Sequence, residues 1–147
     1  MVQIQKLNIA MSKLGCECGG TISDTTDNIP YKGTIIRDQD QEALYDQMAS
    51  DLNAFMDAIL QGKREEWISR YFLPGYPVEN IKNEEVFSDI LSRYVIAPGL
   101  DIYQCMECGS VKIQREPESN IFASFAAREW KKGSPSILQA KGKDEDA

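Results

Sequence analysis

The chain has 147 residues, 42% of them hydrophobic and 27% charged, which is enough for a packed core and excludes a wholly disordered chain. No apolar run approaches the roughly 18 to 20 residues of a membrane-spanning helix, and a formal charge of −7 is the opposite of a nucleic-acid binder's basic footprint. There are no histidines, which removes the usual general base, the usual triad partner and the commonest neutral metal ligand, so an enzyme is not expected.

Met1 to Leu14 alternates weakly through Val2, Ile4, Leu7 and Ile9, and reads as an added edge strand or a frayed arm. It lacks the continuous apolar stretch of a secretion signal, so a cytoplasmic protein is expected. Thr21 to Lys32 reads as loop, because its Thr, Ser, Asp and Asn side chains satisfy their own backbone in turns. Thr34, Ile35 and Ile36 make a short β-branched strand.

A long helix is predicted from Asp38 or Asp40, where acids suit the positive end of the helix dipole. Its apolar positions are Leu44, Met48, Leu52, Phe55, Met56, Ile59 and Leu60, at spacings of three and four, and these are expected to face the core. A second helix is predicted over about Lys63 to Phe72, burying Trp67, Ile68, Tyr71 and Phe72, and the prolines at 74 and 77 end it. A third begins with Asn83 as N-cap and Glu84 and Glu85 in its first turn, and presents Val86, Phe87, Ile90, Leu91 and Tyr94. Beyond Pro98-Gly99 the period changes to two: Asp101 to Gln104 and Val111 to Gln114 alternate as half-buried strands. Residues 119–130 fit a third strand or a short helix equally. From Lys131 the sequence is polar and glycine-rich and predicts a disordered tail over 131–147.

The charge is uneven. Residues 17–57 hold nine acids against two bases, which accounts for the whole −7, and the rest of the chain cancels. Such a segment steers cationic partners and repels nucleic acid and anionic membranes. A solvated helix face with a polar loop before it would give the same pattern.

Four cysteines carry the one sharp chemical signal: Cys16-Glu17-Cys18-Gly19 and Cys105-Met106-Glu107-Cys108-Gly109. A glycine after each second cysteine lets the backbone turn its amides toward the sulfurs. Four thiolates at tetrahedral corners satisfy one Zn(II), structural because no coordination position stays open. Disulfides, a redox Cys-x-x-Cys and four unrelated thiols are the competing readings. The first needs an oxidising compartment and the second a helix N-terminus, whereas Cys108 leads into a strand. The one-residue spacer between Cys16 and Cys18 departs from the usual Cys-x-x-Cys knuckle.

With these residues the chain resembles a zinc ribbon, over about residues 14–22 and 101–114. The resemblance implies an α+β fold, a small zinc-ribbon-like sheet with a helical insertion of about three helices. One domain over 1–130 would combine ribbon segments at 14–37 and 101–125 with an insertion at 38–97. More narrowly, Cys16-x-Cys18-Gly19 leading into Ile22-Ser23-Asp24-Thr25-Thr26-Asp27-Asn28, with a late Cys105-x-x-Cys108-Gly109, is similar to a family of small bacterial proteins that in turn resemble ones found among toxin-neighbourhood genes, where small acidic chains often serve as immunity factors. That likeness implies an immunity protein that neutralises a basic toxin domain by stoichiometric binding. Asp38, Asp40, Glu42 and Asp46 would supply steering, with Tyr45 and Trp67 as anchors among Tyr31, Tyr71 and Tyr76. The alternative is a zinc-ribbon adaptor or regulator of transcription or translation, which the missing basic patch weakens. Asp24 and Asp27 are the one acid–base pair an enzyme reading would have, and Asp-rich turns usually cap backbone amides instead.

Overall fold

The structure is a computed structural model describing residues 13–142. The expected arm or edge strand over residues 1–12 and the last stretch of the expected tail, 143–147, lie outside the described residues. The class is α+β, with two antiparallel sheets and three helices among the described residues. The sequence predicts one domain through residue 130. Two compact units form, Ile36–Pro98 and the combination of the residues up to Ile35 with those from Gly99, and each has its own apolar core.

In the unit built from both ends of the chain, β1 (Lys13–Gly15) pairs with β2 (Thr21–Ser23), placing Leu14 opposite Ile22. This hairpin replaces the start of the predicted 21–32 loop. A four-stranded sheet follows in the order β3 (Lys32–Ile35), β4 (Leu100–Gln104), β5 (Val111–Gln114), β6 (Phe122–Phe125). All its neighbours are antiparallel, with Ile35 opposite Leu100, Ile102 opposite Ile113, and Ile113 opposite Ala123. The ambiguous 119–130 segment therefore supplies an edge strand. Ile22 and Tyr103 pack with Cys16 and Cys105, flanked by Leu14, Tyr31 and Phe122.

The period-two pattern of β5 holds, but its faces are reversed. Lys112 and Gln114 are the buried residues, while Val111 and Ile113 are half-exposed. The reversal is sustained because every buried side-chain nitrogen and oxygen among the described residues finds a partner. Gln114 accepts from the Asp101 N–H (3.0 Å) and donates to the Ser119 carbonyl (2.7 Å). Gln104, also buried, donates to the Gly109 carbonyl (3.1 Å) and accepts from the Ile137 N–H (2.9 Å). That last bond ties down the described part of the predicted tail. Residues 131–142 are irregular, yet Ser136 is buried and Leu138 lies beside Gly33.

The helical unit comprises α1 (Asp38–Leu60), α2 (Arg64–Tyr71) and α3 (Asn83–Ile96). Phe55, Ile68, Val86 and Ile90 are fully buried at its centre. Phe55 packs against Trp67 (ring centroids 5.0 Å apart) and edge-on to Phe87 (5.4 Å). Two sequence expectations are corrected. Met56 and Leu60, and Leu91 in α3, do not join the core: all three are exposed, Leu60 to 83%, and in α1 Phe55, Ala58 and Ile59 already fill the inward arc of that turn. Asn83 is not the N-cap. Lys82 occupies that position, and its N–H donates to the Glu85 carboxylate (2.8 Å). The Asn83 side-chain carbonyl instead accepts from Arg64 Nε (2.7 Å), whose other nitrogens donate to the Val78 and Ile81 carbonyls.

Candidate metal centre

Both cysteine pairs sit in turns between antiparallel strands. The β1–β2 turn is closed by the Cys16 N–H donating to the Gly20 carbonyl (2.9 Å) and the Gly19 N–H to the Cys16 carbonyl (2.9 Å). In the β4–β5 turn the Cys105 N–H donates to the Ser110 carbonyl (2.8 Å) and the Gly109 N–H to the Cys105 carbonyl (2.7 Å). The one-residue spacer thus makes a turn one residue tighter with the same pattern of closure. The glycine after each second cysteine has a left-handed backbone, φ +89° at Gly19 and +78° at Gly109, which only glycine adopts without strain. A side chain at Gly109 is excluded twice over, since its Cβ would lie 2.4 Å from Trp130 Cε3.

These turns bring Cys16, Cys18, Cys105 and Cys108 together, with all four sulfurs within 4.8 Å of one another. Cys16 Sγ lies 3.6 Å from Cys108 Sγ, and Cys18 Sγ 3.8 Å from Cys105 Sγ. A tetrahedral ion with metal–sulfur bonds of about 2.3 Å requires sulfur–sulfur edges near 3.8 Å, which these two separations match. The four cysteines are free thiols, not disulfides, and Cys105 and Cys108 flank a strand turn, not the helix N-terminus of a redox pair. The cluster can hold a metal ion. It is the sole group of three or more such ligands among the described residues.

The backbone prepares the sulfurs for negative charge. The Gly20 N–H donates to Cys18 Sγ (3.3 Å) and lowers that thiol. The Ser110 N–H likewise acts on Cys108, although burial and the Cys18 and Cys105 thiols leave Cys108 raised. Burial pushes the Cys16 thiol up to about 12, against a lowering bond from the Cys18 N–H. Holding a metal there means displacing thiol protons.

Three further side chains crowd this corner, and none was visible as a site residue in the sequence. Lys112, on central strand β5, donates to the Glu17 carboxylate and to Ser124 Oγ (2.7 Å), and Ser124 donates to Glu17 Oε1 (2.9 Å). The bond from Lys112 pulls Glu17 down to about 2. Nothing in an alternating Val-Lys-Ile-Gln strand marks its lysine as buried, and the only available hint was an acid inside the Cys-x-Cys spacer.

A second clasp joins the β1–β2 hairpin to the larger sheet. Asp24 Oδ2 accepts from Lys32 Nζ (2.6 Å) and from the Tyr103 hydroxyl (2.5 Å), and the Tyr31 hydroxyl donates to the Ser23 carbonyl (2.6 Å). Burial alone would raise Asp24, but the bonds from Lys32 and Tyr103 outweigh it and hold the carboxyl below its ordinary range. Asp24 is therefore engaged as an acceptor, and Asp27 is exposed.

Of the expected partner-facing residues, Asp38, Glu42, Tyr45 and Asp46 are exposed. Their spacing of four, seven and eight puts them on one face of α1, the same face that carries exposed Met56 and Leu60 farther along. Asp40 and Trp67 do not join them. Asp40 is half-buried and accepts from Arg37 Nε (2.7 Å), while Trp67 is wedged between Phe55 and Tyr71. Tyr71 and Tyr76 are half-buried, with hydroxyls donating to Asp51 (2.6 Å) and Asp89 (2.5 Å). Among the described residues no helix is long and apolar enough to cross a membrane.

Comparison with curated proteins and with solved structures gives no significant match. A family model does match, over residues 12–129, a span holding all four cysteines, both sheets and the three helices. The chain belongs to the family described as Domain of unknown function (DUF8617).

Proposed function

We propose that this chain is a non-enzymatic zinc module that binds a basic protein, most specifically an immunity protein that neutralises a toxin domain stoichiometrically in the cytoplasm. The closed cluster of four sulfurs at tetrahedral spacing carries the metal part of the reading. Four soft thiolates in that geometry suit Zn(II), and with every position filled by protein the metal's work is structural. A chain without histidine, whose Asp24 is held by Lys32 and Tyr103, offers little for proton transfer. The partner part is supported by the exposed acidic face of α1 around Tyr45, and the toxin by the sequence resemblance. Neither nucleic acid nor membrane is a partner in this reading, because the net charge repels both.

Protein purified without added metal should carry one equivalent of zinc, lost in Cys105→Ser together with several kcal/mol of stability. Iron in its place would correct the metal, and well under one equivalent of any metal would sink the reading. The protein encoded by the adjoining gene should form an equimolar complex and lose its toxicity. Lysine at Asp38, Glu42 and Asp46 together should slow that association strongly and reduce its salt dependence. A nucleic-acid band shift without such a complex would favour the adaptor.

A further inference from the structure

We propose that Lys112 is the counter-cation of the four-cysteine centre, a positioning residue whose buried ammonium offsets the negative charge left on four thiolates and so sets how tightly the metal is held. The inference rests on the zinc reading above and concerns a residue outside the ligand set.

Lys112 is the only charged side chain that is buried among the described residues. Its ion pair with Glu17 is lopsided: the lysine side chain is 2% exposed and the glutamate 72%. An exposed carboxylate is well hydrated and answers only part of the cost of burying an ammonium. The buried side of the pair is open to a second anion, and a Cys16 thiolate, beside the same carboxylate, would be one. Cys16 Sγ lies 3.6 Å from the same Glu17 Oε2 that Lys112 holds, so one carboxylate oxygen stands between the ammonium and the sulfur.

The electrostatics of a loaded site point the same way. Four thiolates and one divalent ion leave two excess negative charges, and Cys16 and Cys105 are buried. With Cys16 ionised, the Glu17 carboxylate beside it would form an adjacent pair of anions, which is unfavourable unless a cation neutralises them. The backbone N–H groups of Cys18, Gly20 and Ser110 reach Cys16, Cys18 and Cys108, but these are dipoles, and Lys112 brings a full charge. Its strand holds it in place, with Tyr103 opposite on β4 and Ser124 opposite on β6, so the cation is fixed before the metal arrives. The other nearby lysine, Lys132, bonds Glu107 from the surface with its side chain 70% exposed, where water screens it.

The test uses metal-stripped full-length protein, with Zn(II) affinity read by competition against a chromophoric chelator and Co(II) as spectroscopic probe. Lys112→Met should weaken Zn(II) binding by roughly 10- to 100-fold, the usual effect of losing a partner just outside the ligands. Lys112→Arg should recover most of the loss. Glu17→Gln and Lys132→Met should stay within a few-fold of wild type. The metal-free Lys112→Met protein should melt no lower than metal-free wild type, because a buried charge has been removed from a centre with no metal to serve. In the cobalt form the thiolate-to-metal absorption should move to lower energy, since the sulfurs lose a neighbouring positive charge.

Undiminished Zn(II) affinity in Lys112→Met overturns the proposal. So does a loss that Lys112→Arg fails to restore and that comes with a lower metal-free melting temperature, which would make Lys112 a packing residue only. A wild-type protein that binds neither Zn(II) nor Co(II) would instead overturn the zinc reading itself.

Discussion

Gly19 and Gly109 occupy equivalent places in the two cysteine turns, with φ of +89° and +78°, and differ in what surrounds them. A Cβ on Gly19 meets nothing within 4 Å, whereas a Cβ on Gly109 would lie 2.4 Å from Trp130 Cε3 and 2.6 Å from its Cδ2. Gly19→Ala therefore isolates the backbone cost of a left-handed alanine, about 1 to 2 kcal/mol. Gly109→Ala adds displacement of the indole, and forcing extra volume into a packed site costs a further ~1 to 3 kcal/mol. The pair should differ by that second amount. Urea unfolding of the metal-loaded proteins at one fixed free Zn(II) concentration measures the difference without a change in metal linkage. Trp130→Ala in the Gly109→Ala background should bring the glycine substitution back to the Gly19→Ala cost, and the double-mutant cycle gives the coupling directly. Equal costs for the two alanines, or strict additivity with Trp130→Ala, would refute the packing of Trp130 on the second turn. A costless Gly19→Ala would refute the backbone reasoning as well.

Phe55→Ala empties the fully buried centre of the helical unit, between Trp67 and Phe87, and should cost about 3 to 5 kcal/mol. Far-UV circular dichroism should follow that loss while the protein's capacity to bind metal stays at wild type, because the four cysteines belong to the other core; loss of that capacity would refute the independence of the two cores. Asp24→Asn should cost about 1 to 3 kcal/mol at neutral pH by taking the charge from two hydrogen bonds. The folded-state carboxyl of Asp24 is depressed, so its contribution is complete above the ordinary carboxylate range and fades as pH falls through the folded value. The gap between wild type and Asp24→Asn in urea midpoint should close on acidification; a gap constant with pH would refute the clasp.

The four cysteines and the three helices were legible in the sequence because each rests on a local rule: paired thiols with glycine, and apolar spacings of three and four. What escaped was set by partners distant in the chain. The β1–β2 hairpin has three-residue strands whose Lys13, Thr21 and Ser23 give no alternation to read, and its register comes from the turn that holds Cys16 and Cys18. Met56 and Leu60 satisfy the helical spacing but extend it past the width of the buried arc. Asn83 has cap chemistry, yet Arg64 claims its oxygen. Lys112 is the largest miss, for alternation assigns polar residues to solvent, whereas this one is buried and only its ammonium is reached, by exposed Glu17 and Ser124. Ile137 is bound through Gln104, so a segment of tail-like composition is still held to the sheet.

The insertion of the helical unit between β3 and β4 has a consequence for how the chain reaches its native state. Cys18 and Cys105 are 87 residues apart in sequence, and closing an open coil of that length costs about 4 kcal/mol in chain entropy before any metal bond rewards it. Ile35 and Leu100, however, sit opposite each other across β3 and β4, so the unit begins and ends at neighbouring points. Helices formed from short-range contacts shorten the free coil between the two turns, and pairing of β3 with β4 then brings the ends of the insertion together. During synthesis the first cysteine pair emerges long before the second and waits as an incomplete ligand set. Lengthening the internal loops of the helical unit should therefore slow metal capture at the four cysteines far less than unfolding its core.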